Sequence, residues 1–472
     1  MSDVVPGVRL GGATTGGHDH REVLDPATGE VVGVVAEAGA DDVAAAVAAA
    51  SAAQPGWAAA PPAERARRLR AAADALRAPD VTEELAVLAS RETGKRLAEA
   101  RAEVGFSAAF LDWFADAAAT GVQEHRVAGG RRFLVGRRPL GVVAAVSPWN
   151  FPLSIPARKI GAALAAGCAV VNKPSELAPL SGLRFAEVLE PFLPDGALTT
   201  VTGDGARTTV PLIDDPRVAA VSFTGSTRVG VLVAARCAAS LTRPLLELGG
   251  RAPFVVRADA DLDAAVEVLA VAKYRNNGAS CIAANNVFVH ESRYEEFVAA
   301  FADRTLALRL GDPRADATDL GPVINGEHAA RLAELVADAR RRGARVWQGA
   351  DVPATGHFVA PAVVAAAPDM PVWDQEVFGP VVGVRPFHDD DALAREINGW
   401  DFGLGGYVCG RDTAAALAFA ERLQIGIVGI NTGTPNTPEV PFGGFKHSGY
   451  GREGGVAGLH EFTEPQTLSI AL

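Results

Sequence analysis

Residues 141–176 read GVVAAVSPWNFPLSIPARKIGAALAAGCAVVNKPSE, and this stretch decides the fold. GVVAAV is a short apolar run ending at a Pro-containing turn, residues 155–166 have the length and small apolar composition of a helix, and CAVVNK is a second apolar run. A strand, a helix and a strand in so short a span form a crossover unit, which makes the two strands parallel. The alternation continues outward: AAVSF is followed by a helical stretch over 227–240 and PFVV by another over 262–276. It resumes with NNVFVH at 285–290, helices near 291–308 and 325–341, and the strands GGYVCG and GIVGIN. The predicted fold class is α/β, with two layers in series that change over near residues 248–252.

Upstream, residues 1–20 show no periodicity and are expected to form a loose arm. DPATG at 25–29 marks a turn between short strands. Asp41 and Asp42 are placed to cap an alanine-rich helix running to about Gln54, and Pro61 and Pro62 open a second helix. Helical patterns follow over roughly 82–93 and 96–118. VQEHRVAGGRRFLVGRR at 122–138 reads as two strands joined at Gly129 and Gly130, a pair suited to a primed hairpin turn. Its strands are too polar for a core, and the carboxyl-terminal TLSIAL at 467–472 looks like a further edge strand. Both are expected to pair across a subunit interface; a hairpin lying on its own subunit is the plainer alternative.

Composition limits the function classes. A chain of 472 residues, 49% apolar and 21% charged, has room for two large domains with appendages and is ordinary for a globular enzyme. A formal charge of −12 gives no electrostatic support to nucleic-acid binding or to an anionic membrane surface. No apolar run reaches the roughly 20 residues that span a bilayer. The amino terminus has no basic segment leading into an apolar one, so a cytoplasmic protein is expected. Four cysteines, at 168, 237, 281 and 409, are too scattered for a disulfide framework or a zinc site, and no metal is expected.

Several stretches carry polar residues where a parallel sheet presents its strand ends. In SPWNFP the Asn150 amide can donate to an oxyanion between two stiffening prolines, and the stretch is equally an ordinary turn. In NKPSE, Lys173 and Glu176 suit ribose hydroxyls, or Ser175 caps a turn and the charges are solvated. FTGSTRVG at 223–230 puts Gly225, Ser226 and Gly230 at a helix start, where backbone N–H groups can face a pyrophosphate; a plain cap explains it too. In PLLELGG, Glu247 is a lone acid in apolar company, a setting that raises a carboxyl pKa and suits a general base as well as a structural cap.

Among the cysteines, Cys168 in AAGCAVV and Cys409 in GGYVCG sit in apolar strand settings, and Cys237 lies on an alanine-rich helix. Cys281 follows a Gly-Ala-Ser turn in YRNNGASCIAA, residues 274–284, with Arg275, Asn276 and Asn277 close by. That setting can leave a thiolate accessible and stabilised, or can hold a structural cysteine.

Taken in order, PWNFP, KPSE, FTGSTRVG, ELGG, GASCIA, EVFGP at 376–380 and PFGGFKHSGYGRE at 441–453 resemble the motifs of the aldehyde dehydrogenase superfamily over nearly the whole chain. The separation of Glu247 from Cys281 matches as well. The resemblance implies NAD-dependent oxidation of an aldehyde to a carboxylic acid. It implies a Rossmann-like cofactor domain over 1–119 and 140–249, and a catalytic domain over 250–454. The remaining 120–139 and 455–472 would be an oligomerisation hairpin and tail, building a homodimer or homotetramer. Cys281 would attack the aldehyde to give a thiohemiacetal and then a thioester. Asn150 and the Cys281 N–H would hold the oxyanion, and Glu247 would activate the hydrolytic water. Lys173 and Glu176 would hold the adenosine ribose, the acid favouring NAD over NADP, while Gly225, Ser226 and Gly230 would approach the pyrophosphate. Trp149 would lie beside the cofactor, Glu376 would hold the nicotinamide ribose and Phe378 would pack near that ring. The chain departs from the common pattern at Ala279, where Gln is usual, and at Arg251, where Lys is frequent.

Arg158, in PARK, and Arg275 match the positions at which succinate-semialdehyde dehydrogenases hold a substrate carboxylate; Asn436 stands where those enzymes have a serine. The resemblance therefore implies succinate semialdehyde or a similar ω-carboxy aldehyde as substrate. Pairing of either arginine with a nearby acid is the plainer reading. Arginine at 158 is also similar to benzaldehyde-type dehydrogenases, which keeps an aromatic or broad aliphatic aldehyde open. Glu247 argues against CoA-acylating relatives, and a catalytically silent scaffold of the same fold is the non-enzyme alternative.

Overall fold

Val142–Val146 and Ala169–Lys173 pair in parallel, joined by the helix Ser154–Ala166, so the stretch at 141–176 is the crossover unit its sequence predicts. The computed structural model describes residues 4–11, 13–15, 17, 19–119, 124–349 and 352–472. The unit lies inside an eight-stranded sheet. From one edge its strands are Gly449–Tyr450, Arg243–Glu247, Val218–Thr224, Val142–Val146, Ala169–Lys173, Leu198–Val201, Val8–Arg9 and Thr14–Thr15. The five from Arg243–Glu247 to Leu198–Val201 are mutually parallel. Numbered along the chain they follow the 3-2-1-4-5 order of dinucleotide-binding sheets. That order reverses between Val142–Val146 and Val218–Thr224, which opens a crevice at their carboxyl ends beside Asn150 and Gly225.

Alternation explains why Val142–Val146 is apolar throughout. Val143 and Ala145 face a core built with the helices Pro62–Leu76, Leu97–Ala119 and Ser154–Ala166. Val142, Ala144 and Val146 face the helices Ala40–Ala59 and Thr227–Ser240 on the other side.

The second sheet runs Val346–Gln348, Ala362–Ala365, Val381–Phe387, Ala284–His290, Ala252–Val256, Gly405–Cys409 and Ile427–Ile430. All are parallel except the edge strand Val346–Gln348. The chain leaves the first sheet at Glu247 and enters the second at Ala252, with only residues 248–251 between. The carboxyl edge of the first sheet is thereby set against the amino edge of the second. Gly449 returns to pair with Glu247, closing the junction from the other side.

Two expectations are corrected, and the pairing of the hairpin and the tail within the chain is specified. The supposed loose arm contributes Val4–Val5 to a strand pair with Val31–Glu37 and Val8–Arg9 to the first sheet. Two-residue strands carry no periodicity, and what anchors them is a fully buried Val8 and a double hydrogen bond from Arg9 to Glu190 at 2.9 and 2.7 Å. The alanine-rich helix ends at Ala59, beyond Gln54, and its cap is Gly39, whose N–H donates to Asp42 Oδ2 at 2.9 Å. Pro55 inside it costs roughly 3 kcal/mol. Burial of Trp57, worth about 2–3 kcal/mol, and its indole bond to the Leu164 carbonyl at 2.9 Å offset that. Finally, the hairpin Glu124–Ala128 and Arg131–Pro139 turns at Gly129 and Gly130, with φ of 57° and 70° as a primed turn requires. Its partner is this chain's own tail: Thr463–Ala471 pairs with Arg131–Pro139 along its whole length. The Leu140 N–H donates to the Phe462 carbonyl at 3.1 Å, so the end of the first strand lies beside the start of the second and pairing within the chain needs no further loop closure. Residues 122 and 123 of the expected hairpin lie outside the described residues. Among the described residues no helix is long and apolar enough to cross a membrane.

Candidate active site

The facing sheet edges enclose a cavity of about 740 Å³. Asn150, Glu247 and Cys281 line it, with Trp149, Gly225, Ser226, Glu376 and Phe378, and with Arg158, Arg275 and Asn436. Lys173, Glu176 and Gly230 are outside the lining. No group of His, Cys, Asp and Glu among the described residues could hold a metal ion.

Cys281 stands just before the strand Ala284–His290, at the amino edge of the second sheet. Asn276 and Asn277 take left-handed φ of 54° and 56°, which asparagine tolerates better than most residues. Asn277 Nδ2 donates to the carbonyls of Gly94 at 2.9 Å and Pro322 at 3.0 Å, and its Oδ1 accepts from the Gly321 N–H at 2.8 Å. Gly278 has φ of 77°, and a Cβ there would stand 2.3 Å from the Gly379 carbonyl oxygen, so a side chain is excluded. On the far side of the cysteine, the Tyr407 hydroxyl donates to the Ile282 carbonyl at 2.7 Å. Ala279 lacks the side chain usual at its position, yet its carbonyl accepts from Asn150 Nδ2 at 3.0 Å and Asn276 Nδ2 at 2.9 Å. The loop is therefore braced through backbone.

Burial pushes the Cys281 thiol up to about 12, with the Arg158 charge opposing. The cation acting on the thiol is thus Arg158, where the sequence pointed to Arg275. Burial also raises Cys168 and Cys237 to about 11 and Cys409 to about 12, so acidity does not single out Cys281. Access does: the other three are buried, whereas Cys281 keeps surface open to the cavity.

Glu247 ends its strand as a buried carboxyl. Burial and then the charge of Glu453 hold its pKa well above the usual carboxylate range, against Lys159, Arg158 and Arg452. Its Oε2 has no hydrogen-bond partner among the described residues. Lys159 and Glu453 were not singled out in the sequence. Lys159 Nζ donates to Ser222 Oγ at 3.0 Å and Glu453 Oε1 at 2.6 Å, and Arg158 Nη1 lies 3.7 Å from Glu453 Oε2. One available signal was the adjacent Arg-Lys pair in SIPARKIGAALAA, a helix buried on every side. Lys95 and Glu103, which contact the Asn150 loop, were also missed.

Arg158 is 8% exposed, with its guanidinium carbon 5.0 Å from the Phe110 ring centroid and 4.8 Å from that of Phe442. Its Nε has no partner among the described residues. Arg275 is half-buried 5.9 Å from the Phe151 centroid and forms no ion pair among the described residues, and Asn436 is half-buried.

In the first-sheet crevice, Ser226 Oγ accepts from the Val229 N–H at 3.4 Å and caps the helix Thr227–Ser240. Gly230 lies inside that helix, where a Cβ would come 2.4 Å from Leu248 Cδ2, so close packing against the residue after the strand Arg243–Glu247 accounts for a glycine here. Lys173 Nζ donates to Glu176 Oε2 at 3.0 Å at the end of its strand. Burial is the largest influence on Glu176 and opposes its ionisation, but the charge and hydrogen bond of Lys173, a backbone hydrogen bond and the charge of Arg21 together hold its carboxyl below the ordinary range. Glu376 accepts from the Gly250 N–H at 3.4 Å, and burial pushes it up to about 7. Trp149 and Phe378 meet edge to face at 5.7 Å. Phe378 has a left-handed φ of 57°, and His328 Nε2 lies 2.8 Å from its carbonyl, so that nitrogen carries the proton and donates.

A doubly wound sheet whose crevice opens onto a cavity with an accessible thiol, a raised carboxyl and a side-chain amide defines a class. The chain belongs to the aldehyde dehydrogenase family, whose profile matches residues 14–468, and is an oxidoreductase acting on aldehydes. It is 39% identical over 460 residues to a glutarate-semialdehyde dehydrogenase of Pseudomonas aeruginosa, covering 95% of this chain and 94% of that one. It is 40% identical to a succinate-semialdehyde dehydrogenase of Paenarthrobacter nicotinovorans, covering 93% and 99%. The crystal structure of succinate-semialdehyde dehydrogenase from Burkholderia pseudomallei superposes with a TM-score of 0.96 at 40% identity, over 99% of this chain and 98% of that one. The family uses NAD(P), and the capped helix start at Ser226, the Glu376 carboxyl and the paired rings of Trp149 and Phe378 are groups and surfaces that fit a dinucleotide.

Proposed function

We propose that the protein oxidises a small aldehyde bearing a carboxylate at its far end, succinate semialdehyde or a close homologue, to the dicarboxylic acid with NAD. The observation that carries this reading is Arg158: a guanidinium nine-tenths buried in the wall of the cavity that Cys281 lines, with an Nε that finds no acceptor among the described residues. The guanidinium lines the cavity with Glu453 at 3.7 Å as its one acid among the described residues, and a substrate carboxylate there would add a charge-assisted partner. Arg275 and Asn436 line the same cavity and would share that anion. Relatives named for succinate and glutarate semialdehydes support the same substrate class.

In this reading Cys281 Sγ adds to the aldehyde carbon, and the oxygen that becomes negative is held by Asn150 Nδ2 and the Cys281 N–H. The oxidation needs a hydride acceptor, which a nicotinamide dinucleotide supplies when bound. Loss of hydride leaves a thioester on Cys281. Glu247 takes a proton from water, the resulting hydroxide attacks the thioester, and the carboxylic acid leaves as the thiolate is regenerated. Trp149, Gly225, Ser226, Glu376 and Phe378 would shape the cofactor side. Lys173 and Glu176 would meet the adenosine ribose, where the ionised Glu176 repels a 2′-phosphate and favours NAD. The first sheet would form the cofactor domain and the second the catalytic domain. The three-stranded hairpin and tail sheet, with two free edges, would build a homodimer or homotetramer.

A second reading, oxidation of an aromatic aldehyde, is favoured by the rings of Phe106, Phe151 and Phe442 in the cavity wall. Measuring kcat/KM for succinate semialdehyde, benzaldehyde and hexanal with NAD and with NADP decides. The ω-carboxy aldehyde with NAD is expected to lead by at least tenfold, and equal or faster turnover of an uncharged aldehyde overturns the carboxylate assignment.

A further inference from the structure

We infer that Lys95 is a positioning residue for the Asn150 amide; this rests on the reading of Asn150 as an oxyanion donor. Lys95 is 1% exposed, in the connector between the helices Pro79–Thr93 and Leu97–Ala119. Its ammonium donates to the Asn150 carbonyl at 2.9 Å and to the carboxylate of the equally buried Glu103, and stands 4.4 Å from the Phe151 ring centroid. Glu103 Oε1 in turn accepts from the N–H groups of Leu153 at 2.9 Å and Ser154 at 3.0 Å, at the start of the helix Ser154–Ala166. One ion pair thus grips the loop on both sides of Asn150, by the carbonyl of that residue and by the amides three and four positions on.

Stability alone does not account for such a pair. Two buried charges recover little more than their desolvation cost, and apolar residues of similar volume serve as well or better. What the pair supplies is direction. With the Asn150 carbonyl held by Lys95 and by Asn276 Nδ2 at 2.8 Å, its peptide plane cannot rotate, and the side-chain amide leaves from a fixed Cα. One Nδ2–H is spent on the Ala279 carbonyl at 3.0 Å, which leaves the other for an oxyanion. The preceding residue extends the device: the Gly94 carbonyl accepts from Asn277 in the cysteine loop at 2.9 Å. Two adjacent residues, Gly94 and Lys95, therefore touch both loops that carry the reacting groups. Donors to an oxyanion act over a window of a few tenths of an ångström, so a loosened carbonyl is read out as rate.

The test is a double-mutant cycle in the full-length enzyme: Lys95→Met, Asn150→Ala and the double variant. It is read as the single-turnover rate of NADH formation, with KM for NAD and Tm measured alongside. Lys95→Met is expected to slow the step about 10-fold or more with KM for NAD unchanged within about twofold. Asn150→Ala is expected to slow it about 10²–10³-fold. The double variant is expected to match Asn150→Ala within about twofold, because Lys95 has nothing left to aim. The same fold-loss from Lys95→Met in both backgrounds, or a lowered Tm with an unchanged rate, overturns the role of Lys95. A rate unaffected by Asn150→Ala overturns the oxyanion reading itself. Should Lys95→Met not fold, Lys95→Gln, which keeps an N–H donor without the charge, goes through the same cycle under the same criteria.

Discussion

The loops carrying Asn150 and Cys281 and the wall carrying Arg158 and Glu247 share one cavity but treat their polar atoms in opposite ways. In the loops, the side chains of Asn150, Asn276 and Asn277 all bond to backbone of other segments. In the wall, Arg158 Nε and Glu247 Oε2 are buried without a partner among the described residues. Each such orphan costs about 1–3 kcal/mol, and buried orphans are rare enough to call for an explanation. The difference separates groups that must be aimed before a ligand arrives from groups that the ligand, a carboxylate or a water, completes.

Glu247 breaks that comparison most severely. Glu247→Gln is expected to lower steady-state kcat about 10²–10⁴-fold, the ordinary share of a general base, while a first turnover of NADH persists because the thioester still forms. Loss of that first turnover in proportion would place Glu247 in the wrong step. The same residue sets the pH profile. Burial favours the neutral forms of both Glu247 and Cys281, the thiol at about 12, and only the ionised forms react. Steady-state kcat, which includes the hydrolytic step, is therefore expected to climb from pH 6 to pH 9, and a flat or falling profile across that range contradicts the assignment. Arg158→Met comes next in size. Losing a charged hydrogen bond of roughly 1.5–3 kcal/mol should cut kcat/KM for succinate semialdehyde about 10–100-fold and spare hexanal. Tm should fall, since the buried Glu453 carboxylate loses one of its two cations among the described residues and keeps only Lys159. A parallel loss with both aldehydes would mean that Arg158 serves the thiol rather than the substrate.

How much of this was legible in the sequence follows from the same division. Strand–helix alternation from residue 141 onward specified the parallel sheets, and their carboxyl ends carried Asn150, Glu247 and Gly225. The rule for strand ends does not reach Cys281, which precedes its strand at an amino edge; only the juxtaposition of the two sheets through residues 248–251 brings it to the site. Lys159 and Glu453 meet across 294 residues, and Lys95 reaches Asn150 across 55, so neither contact has a local signature. The tail escaped for a like reason: its pairing with Arg131–Pro139 depends on where the helix Gly455–His460 delivers the chain. Gly230 is ambiguous because a glycine needed for close packing and one needed beside a phosphate look alike in sequence.

The smallest expected effect sharpens the comparison from the satisfied side. Glu92 has partners for both oxygens: it accepts from the Leu180 N–H at 2.7 Å, the Ser181 N–H at 2.8 Å and the Ser181 hydroxyl, capping the helix Pro179–Leu189. Burial nonetheless pushes it up to about 7, so hydrogen bonds have not fully replaced water around the charge. Its folded pKa lies above an unfolded value of about 4.3, so its contribution to stability is complete below that value and is lost as pH rises through about 7. Glu92→Gln cannot ionise and should lose less stability than the parent protein between pH 5 and pH 8, by about 1–2 kcal/mol, with kcat untouched. Denaturant midpoints across that range measure it, and parallel curves for the two proteins would mean that three donors suffice to keep a buried carboxylate charged at no cost. The orphaned Oε2 of Glu247 would then owe its high pKa to missing partners more than to burial as such, and the distinction between the two regions would rest on hydrogen bonding alone.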